Sequence, residues 1–252
     1  MTRRRFYASP ESFAADQSVV HLAAEETRHL RDVLRLVPGD RAFVFNGQGQ
    51  EFECLIEEVK RDQAQLKVLA EVASSSPESP LAMTLAVALL KGEKFDLVVQ
   101  KSTELGVRTI IPTVTRLADV RLRDESDAQK RLVRWRRIAL EAAKQSGRSR
   151  LPGISEPVDV STLLRIKRSN QEMCLMFSER SGKSLNEVLE VANGIIAVTA
   201  LVGSEGGWTD EEIEQIREAN WKIVTLGGRT LRAETAAISV CALLQHRLGD
   251  FK

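Results

Sequence analysis

Three glycines in five residues, G-S-E-G-G at positions 203–207, stand between an apolar run and the charged stretch T-D-E-E. A glycine pair follows in G-G-R-T-L-R-A-E-T, positions 227–235, with Arg232 and Glu234 two residues apart. Lacking a Cβ, such a loop either makes a tight turn or lets a ligand approach bare backbone. For one loop both remain open. Two in tandem, each after an apolar run, favour a ligand held largely by backbone, with arginine and carboxylate nearby.

Several chemistries are excluded by spacing. Gly182-Lys183-Ser184 would need glycine at the position of Phe177 to form a phosphate loop. Neither glycine-rich loop spells G-x-G-x-x-G, and Gly47-Gln48-Gly49 falls in a hairpin rather than before a helix. His21, His29 and His246 lie far from these loops and support no triad. Cys54, Cys174 and Cys241 show no C-x-x-C or Cys/His spacing. They read as structural thiols, which leaves neither a zinc site nor a disulfide framework.

The elements that must position these loops follow from periodicity. Across the 252 residues composition breaks at S-S-S-P-E-S-P, positions 74–80, a linker between a domain at 1–73 and another at 81–252. Before the linker, 41–45 and 51–58 are expected strands joined by a turn beginning Asn46-Gly47, and 25–36 an amphipathic helix with His29, Leu30, Val33 and Leu34 to one side. After it, strands at 83–89, 109–114, 173–177, 195–202 and 222–226 alternate with helices at 94–105, 129–146 and 235–248. Thr209 and Glu212 have the spacing of a capping box. This alternation implies a mainly parallel sheet with helices on both faces, whose ligands bind beyond the carboxyl ends of the strands. The loops at 177–183, 203–207 and 227–235 therefore belong together. The longest apolar runs, 81–90 and 194–202, are too short to span a bilayer, and M-T-R-R-R-F-Y lacks the apolar core of a secretory signal. A cytoplasmic protein is expected.

Net charge is only +1, but it is uneven. Residues 1–72 carry 10 Lys+Arg against 12 Asp+Glu, whereas 121–150 carry 10 against 4, a net of +6. A local basic patch binds phosphate even when the total is near zero; a solvated helix face is the competing explanation.

G-S-E-G-G with T-D-E-E, followed by L-G-G-R-T-L-R-A-E-T-A-A, resembles the paired signatures of the SPOUT, or α/β-knot, methyltransferases. R-R-F-Y near the start, Q-K-S-T-E-L-G-V (100–107) and R-W-R-R-I-A-L-E-A-A-K-Q-S-G-R (134–148) narrow the resemblance to the ribosomal RNA small subunit methyltransferase E family, over nearly the whole chain. The pattern departs at Ser204, where the family has proline, and at Gly228 and Thr230.

The resemblance implies an α/β fold: a SPOUT trefoil-knot domain with a mainly parallel sheet, preceded by a small PUA-like β-barrel domain that binds RNA. It also implies a homodimer that uses S-adenosylmethionine, without metal, to methylate N3 of a uridine in 16S ribosomal RNA. On this basis Phe177, Leu201, Gly203, Glu205, Gly207, Leu226, Gly227 and Leu231 are the expected donor-site residues, with Leu201 and Leu226 as apolar walls. Arg232 either stabilises the uridine anion or pairs with Glu234. Glu234 either accepts the proton or caps the following helix, and Glu205 has the same two options. RNA contacts are expected from Arg3, Arg4 and Arg5, beside Phe6 and Tyr7, and from Arg134, Arg137, Lys144 and Arg148. The helix at 235–248, apolar on most sides, is either buried or a dimer interface, and the resemblance points to the dimer. The alternatives are a SPOUT enzyme acting on transfer RNA or a ribose 2′-hydroxyl, and a non-catalytic RNA-binding or assembly factor.

Overall fold

Strand alternation sorts apolar side chains to one face of an N-terminal sheet. In the computed structural model, which describes residues 3–180, 182–190 and 194–251, this sheet contains β1 (Arg5–Tyr7), β2 (Val19–Leu22), β3 (Arg41–Phe45), β4 (Glu51–Val59) and β5 (Ala64–Val72) in the order β1-β3-β4-β5-β2. β1 pairs parallel with β3 and the other pairs are antiparallel. Phe6, Val20, Ala42, Val44, Cys54, Ile56 and Leu66 form its core. At the β3–β4 turn the Asn46 carboxamide oxygen accepts from the Gln48 and Gln50 amides at 2.9 and 3.3 Å.

The helix expected at 25–36 is shorter. α1 spans Ala24–Arg28 and then widens into a π-type turn, His29–Val33. The wider turn changes the phase of the side chains: Leu30 stays buried, but Val33 is turned out to solvent.

The chain divides into two compact units, Met1–Glu78 with Leu140–Leu151, and Ser79–Ala139 with Pro152–Lys252. Residues 140–151, expected from sequence in the second domain, thus belong to the first unit. A buried carboxylate is one of the groups that tie this segment to the first unit. Glu51 accepts two hydrogen bonds from the Arg5 guanidinium, at 3.3 and 3.0 Å, one from Arg3 at 3.1 Å and one from the Ser149 hydroxyl at 2.9 Å. Arg5 also donates to the carbonyls of Ala143, Lys144 and Arg148, where a helix leaves acceptors unsatisfied.

The second unit contains β6 (Ala82–Ala88), α2 (Lys94–Glu104), β7 (Thr109–Val114), α3 (Glu125–Ser146), whose end belongs to the first unit, β8 (Gly153–Ile154), β9 (Val158–Asp159), α4 (Val160–Arg165), β10 (Glu172–Phe177), β11 (Lys183–Ser184), α5 (Leu185–Glu190), β12 (Ala197–Val202), α6 (Asp210–Glu218), β13 (Lys222–Thr225) and α7 (Ala233–Leu248). Its strands run β11-β13-β10-β12-β6-β7-β8, with β9 also on β7, and every pair is parallel. Helices cover both faces. Met83, Leu85, Val198, Ala200 and Leu175 pack on α2, α3, α5 and α7, and the alternate residues Ala86, Leu201 and Met176 pack on α4 and α6.

Local signals explain where the helices start. α3 begins four residues earlier than apolar spacing suggests, because the Asp124 carboxylate accepts the Asp127 amide at 2.8 Å. At α6 the capping box is complete: the Thr209 hydroxyl accepts the Glu212 amide at 3.2 Å and the Glu212 carboxylate accepts the Thr209 amide at 3.1 Å. Thr209→Ala is expected to cost about 1 kcal/mol, measured by urea unfolding, and an unchanged midpoint would remove the cap from the account. Among the described residues no helix is long and apolar enough to cross a membrane.

Candidate active site

Because β10 lies between β12 and β13, with Phe177 in register with Val202 on one side and Val224 on the other, the loops after these strands emerge together at the carboxyl end of the sheet. They line a pocket that opens to solvent, with a cavity of about 80 Å3. Phe177, Gly203, Gly207, Leu226, Gly227 and Leu231 line it, as the sequence suggests. Ser178, Glu179, Ser204, Trp208, Thr225 and Arg229 do so as well. Periodicity does not single these out, although all lie in or beside the three glycine-bearing or neighbouring loops.

Leu201 requires correction. It is fully buried, on the α4 and α6 side of the sheet, and does not line the pocket. A strand with apolar residues on both faces gives no clue to which face each residue takes, and the pleat assigns Val202 to the pocket instead. Glu205 is also absent from the lining. It bonds Lys94 at 2.8 Å. Burial pushes its carboxyl up, but that hydrogen bond and the neighbouring positive charge outweigh burial and hold it below its ordinary value.

The glycines serve different needs. A Cβ on Gly203 would come within 2.9 Å of the Trp208 ring. That ring is buried, and its indole N–H donates to the Phe177 carbonyl at 2.9 Å, fixing it as a wall. Gly207 and Gly227 have φ of +71° and +114°, which an L side chain rarely adopts. Of these three, Gly227 alone has open space around it, and at Gly203 the missing Cβ makes room for the Trp208 ring.

At the pocket edge α7 begins. Arg232 is its N-cap residue and is exposed; no ion pair joins it to Glu234 among the described residues. Glu234 makes no capping hydrogen bond, and its Oε2 is buried without a hydrogen-bond partner among the described residues, as is the Ser204 hydroxyl. Unsatisfied buried polar atoms beside a cavity mark places where a ligand or water completes the bonding.

The expected RNA-contacting residues separate into two groups. Arg5, Lys144 and Arg148 have side chains only 7%, 13% and 4% exposed and are committed to Glu51, Glu26 and Glu78. Their removal from the phosphate-contacting set is a correction with a physical cause: a buried cation is held by its carboxylate. For Lys144, burial would lower the ammonium, yet the Glu26 hydrogen bond raises it above its usual value. Arg4, Arg134 and Arg137 are exposed, Arg134 in an ion pair with Asp96, and Arg3 is partly exposed against Glu51.

Burial pushes the Cys54 and Cys241 thiols up to about 12 and the Cys174 thiol to about 11, which keeps them protonated. Among the described residues no group of three His, Cys, Asp or Glu side chains is placed to hold a metal ion.

Residues 77–245 match the RNA methyltransferase domain family and residues 22–69 the RNA methyltransferase PUA domain family. The chain is 31% identical to the ribosomal RNA small subunit methyltransferase E of Rickettsia conorii, over 98% of this chain and 96% of that one. It is 32% identical to the protein of the same name from Synechocystis, over 92% and 74%. A crystal structure of a ribosomal RNA small subunit methyltransferase E from Neisseria gonorrhoeae bound to S-adenosyl methionine is similar with a TM-score of 0.86, 33% identity and full coverage of both chains.

Proposed function

We propose that the chain, which belongs to the ribosomal RNA small subunit methyltransferase E family, transfers a methyl group from S-adenosylmethionine to N3 of a uridine in 16S ribosomal RNA. The observation that carries this is the pocket at the carboxyl ends of β10, β12 and β13, walled by two glycine loops and by Ala233 and Ala236 of α7; Arg232 and Glu234 are not in its lining but flank Ala233 in sequence. It fits an adenosine-bearing donor: apolar walls at Phe177, Leu226 and Leu231, backbone amides at Gly203 and Gly227, and the Ser204 hydroxyl, which has no hydrogen-bond partner among the described residues.

When bound, S-adenosylmethionine supplies an electrophilic methyl group on a sulfonium. Uridine N3 carries a proton and is a poor nucleophile at neutral pH, so the protein must remove that proton and stabilise the charge spreading onto the ring carbonyls. Glu234 is assigned the proton; its buried Oε2, without a hydrogen-bond partner among the described residues, supports the role. Arg232 is assigned the carbonyl oxygens, to which guanidinium presents paired donors, and its lack of an ion pair with Glu234 supports this. Glu205 orients Lys94 and takes no proton.

Residues 1–73 serve as the RNA-binding domain, 74–80 as a linker and 81–252 as the methyltransferase domain, apart from 140–151, which pack with the first unit. Arg3, Arg4, Arg134 and Arg137 remain as phosphate-binding groups. A homodimer through α7 is part of the same proposal and draws support from Leu243, an apolar residue that helix leaves exposed. The setting is the cytoplasm, where ribosomal subunits are assembled.

Arg232→Ala is expected to lower kcat about 100-fold while the Kd for S-adenosylmethionine stays within about two-fold. Single-turnover methyl transfer and calorimetric titration check this together. Full methylation by the variant would remove Arg232 from the mechanism.

A further inference from the structure

The loop between β7 and α3 contains three exposed arginines, Arg116, Arg121 and Arg123, that the mechanism does not use. This loop is fastened to the glycine loop of the pocket. The Glu212 carboxylate that closes the α6 capping box also accepts the Arg116 amide at 2.9 Å, and Glu212 is only 3% exposed. Gly206 lies so close that a Cβ there would sit 2.7 Å from the Leu117 carbonyl oxygen. The Arg121 guanidinium bends back to the Arg116 carbonyl at 3.0 Å, and Ala118 N–H donates to the Thr115 carbonyl at 3.3 Å. The Arg116 guanidinium itself has no ion pair or hydrogen-bond partner among the described residues.

The one carboxylate within the arginine stretch is neutralised: Asp119 pairs with Lys91 at 2.7 Å. The Lys91 ammonium holds the Asp119 carboxyl below its usual value. The loop therefore presents net positive charge from a backbone whose position is fixed relative to the pocket. Positive charge tied to the wall of a methyl-transfer site suits phosphates flanking a nucleotide inserted there, because guanidinium forks match phosphate oxygens and a pre-fixed backbone loses little freedom on binding.

We infer that the β7–α3 loop is an RNA-backbone clamp for this site, in which Arg116, with Arg121 and Arg123 behind it, binds phosphates next to the target uridine. The clamp rests on the function proposed above and adds the group that positions the RNA strand at the pocket.

The test uses the full chain with unmodified small-subunit ribosomal RNA, comparing wild type with R116E and with the double variant R121E/R123E. Donor Kd should stay within about two-fold in all three. The KM for RNA should rise about ten-fold or more with little change in kcat, as expected when charge-assisted hydrogen bonds to the substrate are removed. The log–log salt dependence of RNA binding should flatten by about 0.7 for each single-strand phosphate that is no longer neutralised. Should R116E fail to fold, judged by its thermal midpoint, R116Q takes its place and should show the same change of KM and slope. Wild-type KM and salt slope in every folded variant would overturn the clamp and leave the proposed reaction standing. Failure of the wild-type protein to methylate ribosomal RNA would overturn the reaction, and the clamp with it.

Discussion

Gly203→Ala should weaken S-adenosylmethionine binding at least about ten-fold, while Gly228→Ala should leave it unchanged. The added methyl at position 203 meets the Trp208 ring at 2.9 Å, and that ring has nowhere to go. It is 1% exposed, packed among Met176, Leu201, Ile213 and Ile216, and held by its indole hydrogen bond to Phe177. Overpacking of this kind costs about 1–3 kcal/mol, and each 1.4 kcal/mol is about ten-fold in affinity when the displaced group is a pocket wall. The same methyl on Gly228 has nothing within 4 Å, and the backbone there is not left-handed. Calorimetric titration of the two variants separates a shaped wall from general glycine sensitivity, and equal affinities would contradict the role given to Trp208.

The largest stability effect is expected at Glu51. Glu51→Ala leaves the Arg5 guanidinium, 7% exposed and bridged to Glu51 through two oxygens, with no compensating carboxylate. Removing one partner of a buried pair costs about 3–5 kcal/mol, so the first unit should unfold at markedly lower urea than the wild type. The pH dependence carries a sign. Burial alone would raise the Glu51 carboxyl, but the Arg5 guanidinium and the Ser149 hydroxyl outweigh it, so the folded value lies below the ordinary carboxylate value. The contribution is therefore complete above the unfolded-state value and is lost as pH falls through the lower, folded one. The difference between wild type and variant should be constant near neutrality and shrink in acid. A difference that grew in acid would contradict the assignment.

Local pattern reveals a good part of this architecture. The capping box at Thr209 and Glu212, the strands on either side of the Asn46 turn and the glycine loops follow from short-range chemistry that the chain cannot satisfy differently. Pairings distant in sequence are hidden. Nothing near Arg5, Lys144 or Arg148 announces that each is buried against a carboxylate from another segment, so they look like free cations. Leu201 escapes correct placement because a strand apolar on both faces has no alternation to read. The π-type turn that exposes Val33 breaks the 3.6-residue period on which an uninterrupted helix depends. The order β13-β10-β12-β6, which brings three loops to one pocket, is a property of topology and not of any single strand.

Labelled methyl from S-adenosylmethionine should be offered to small ribosomal subunits lacking the modification, to naked 16S RNA and to transfer RNA, and the labelled nucleoside identified after digestion. The expected result is label as N3-methyluridine in small-subunit RNA alone. Label confined to transfer RNA, or found on a ribose 2′-oxygen, would contradict it.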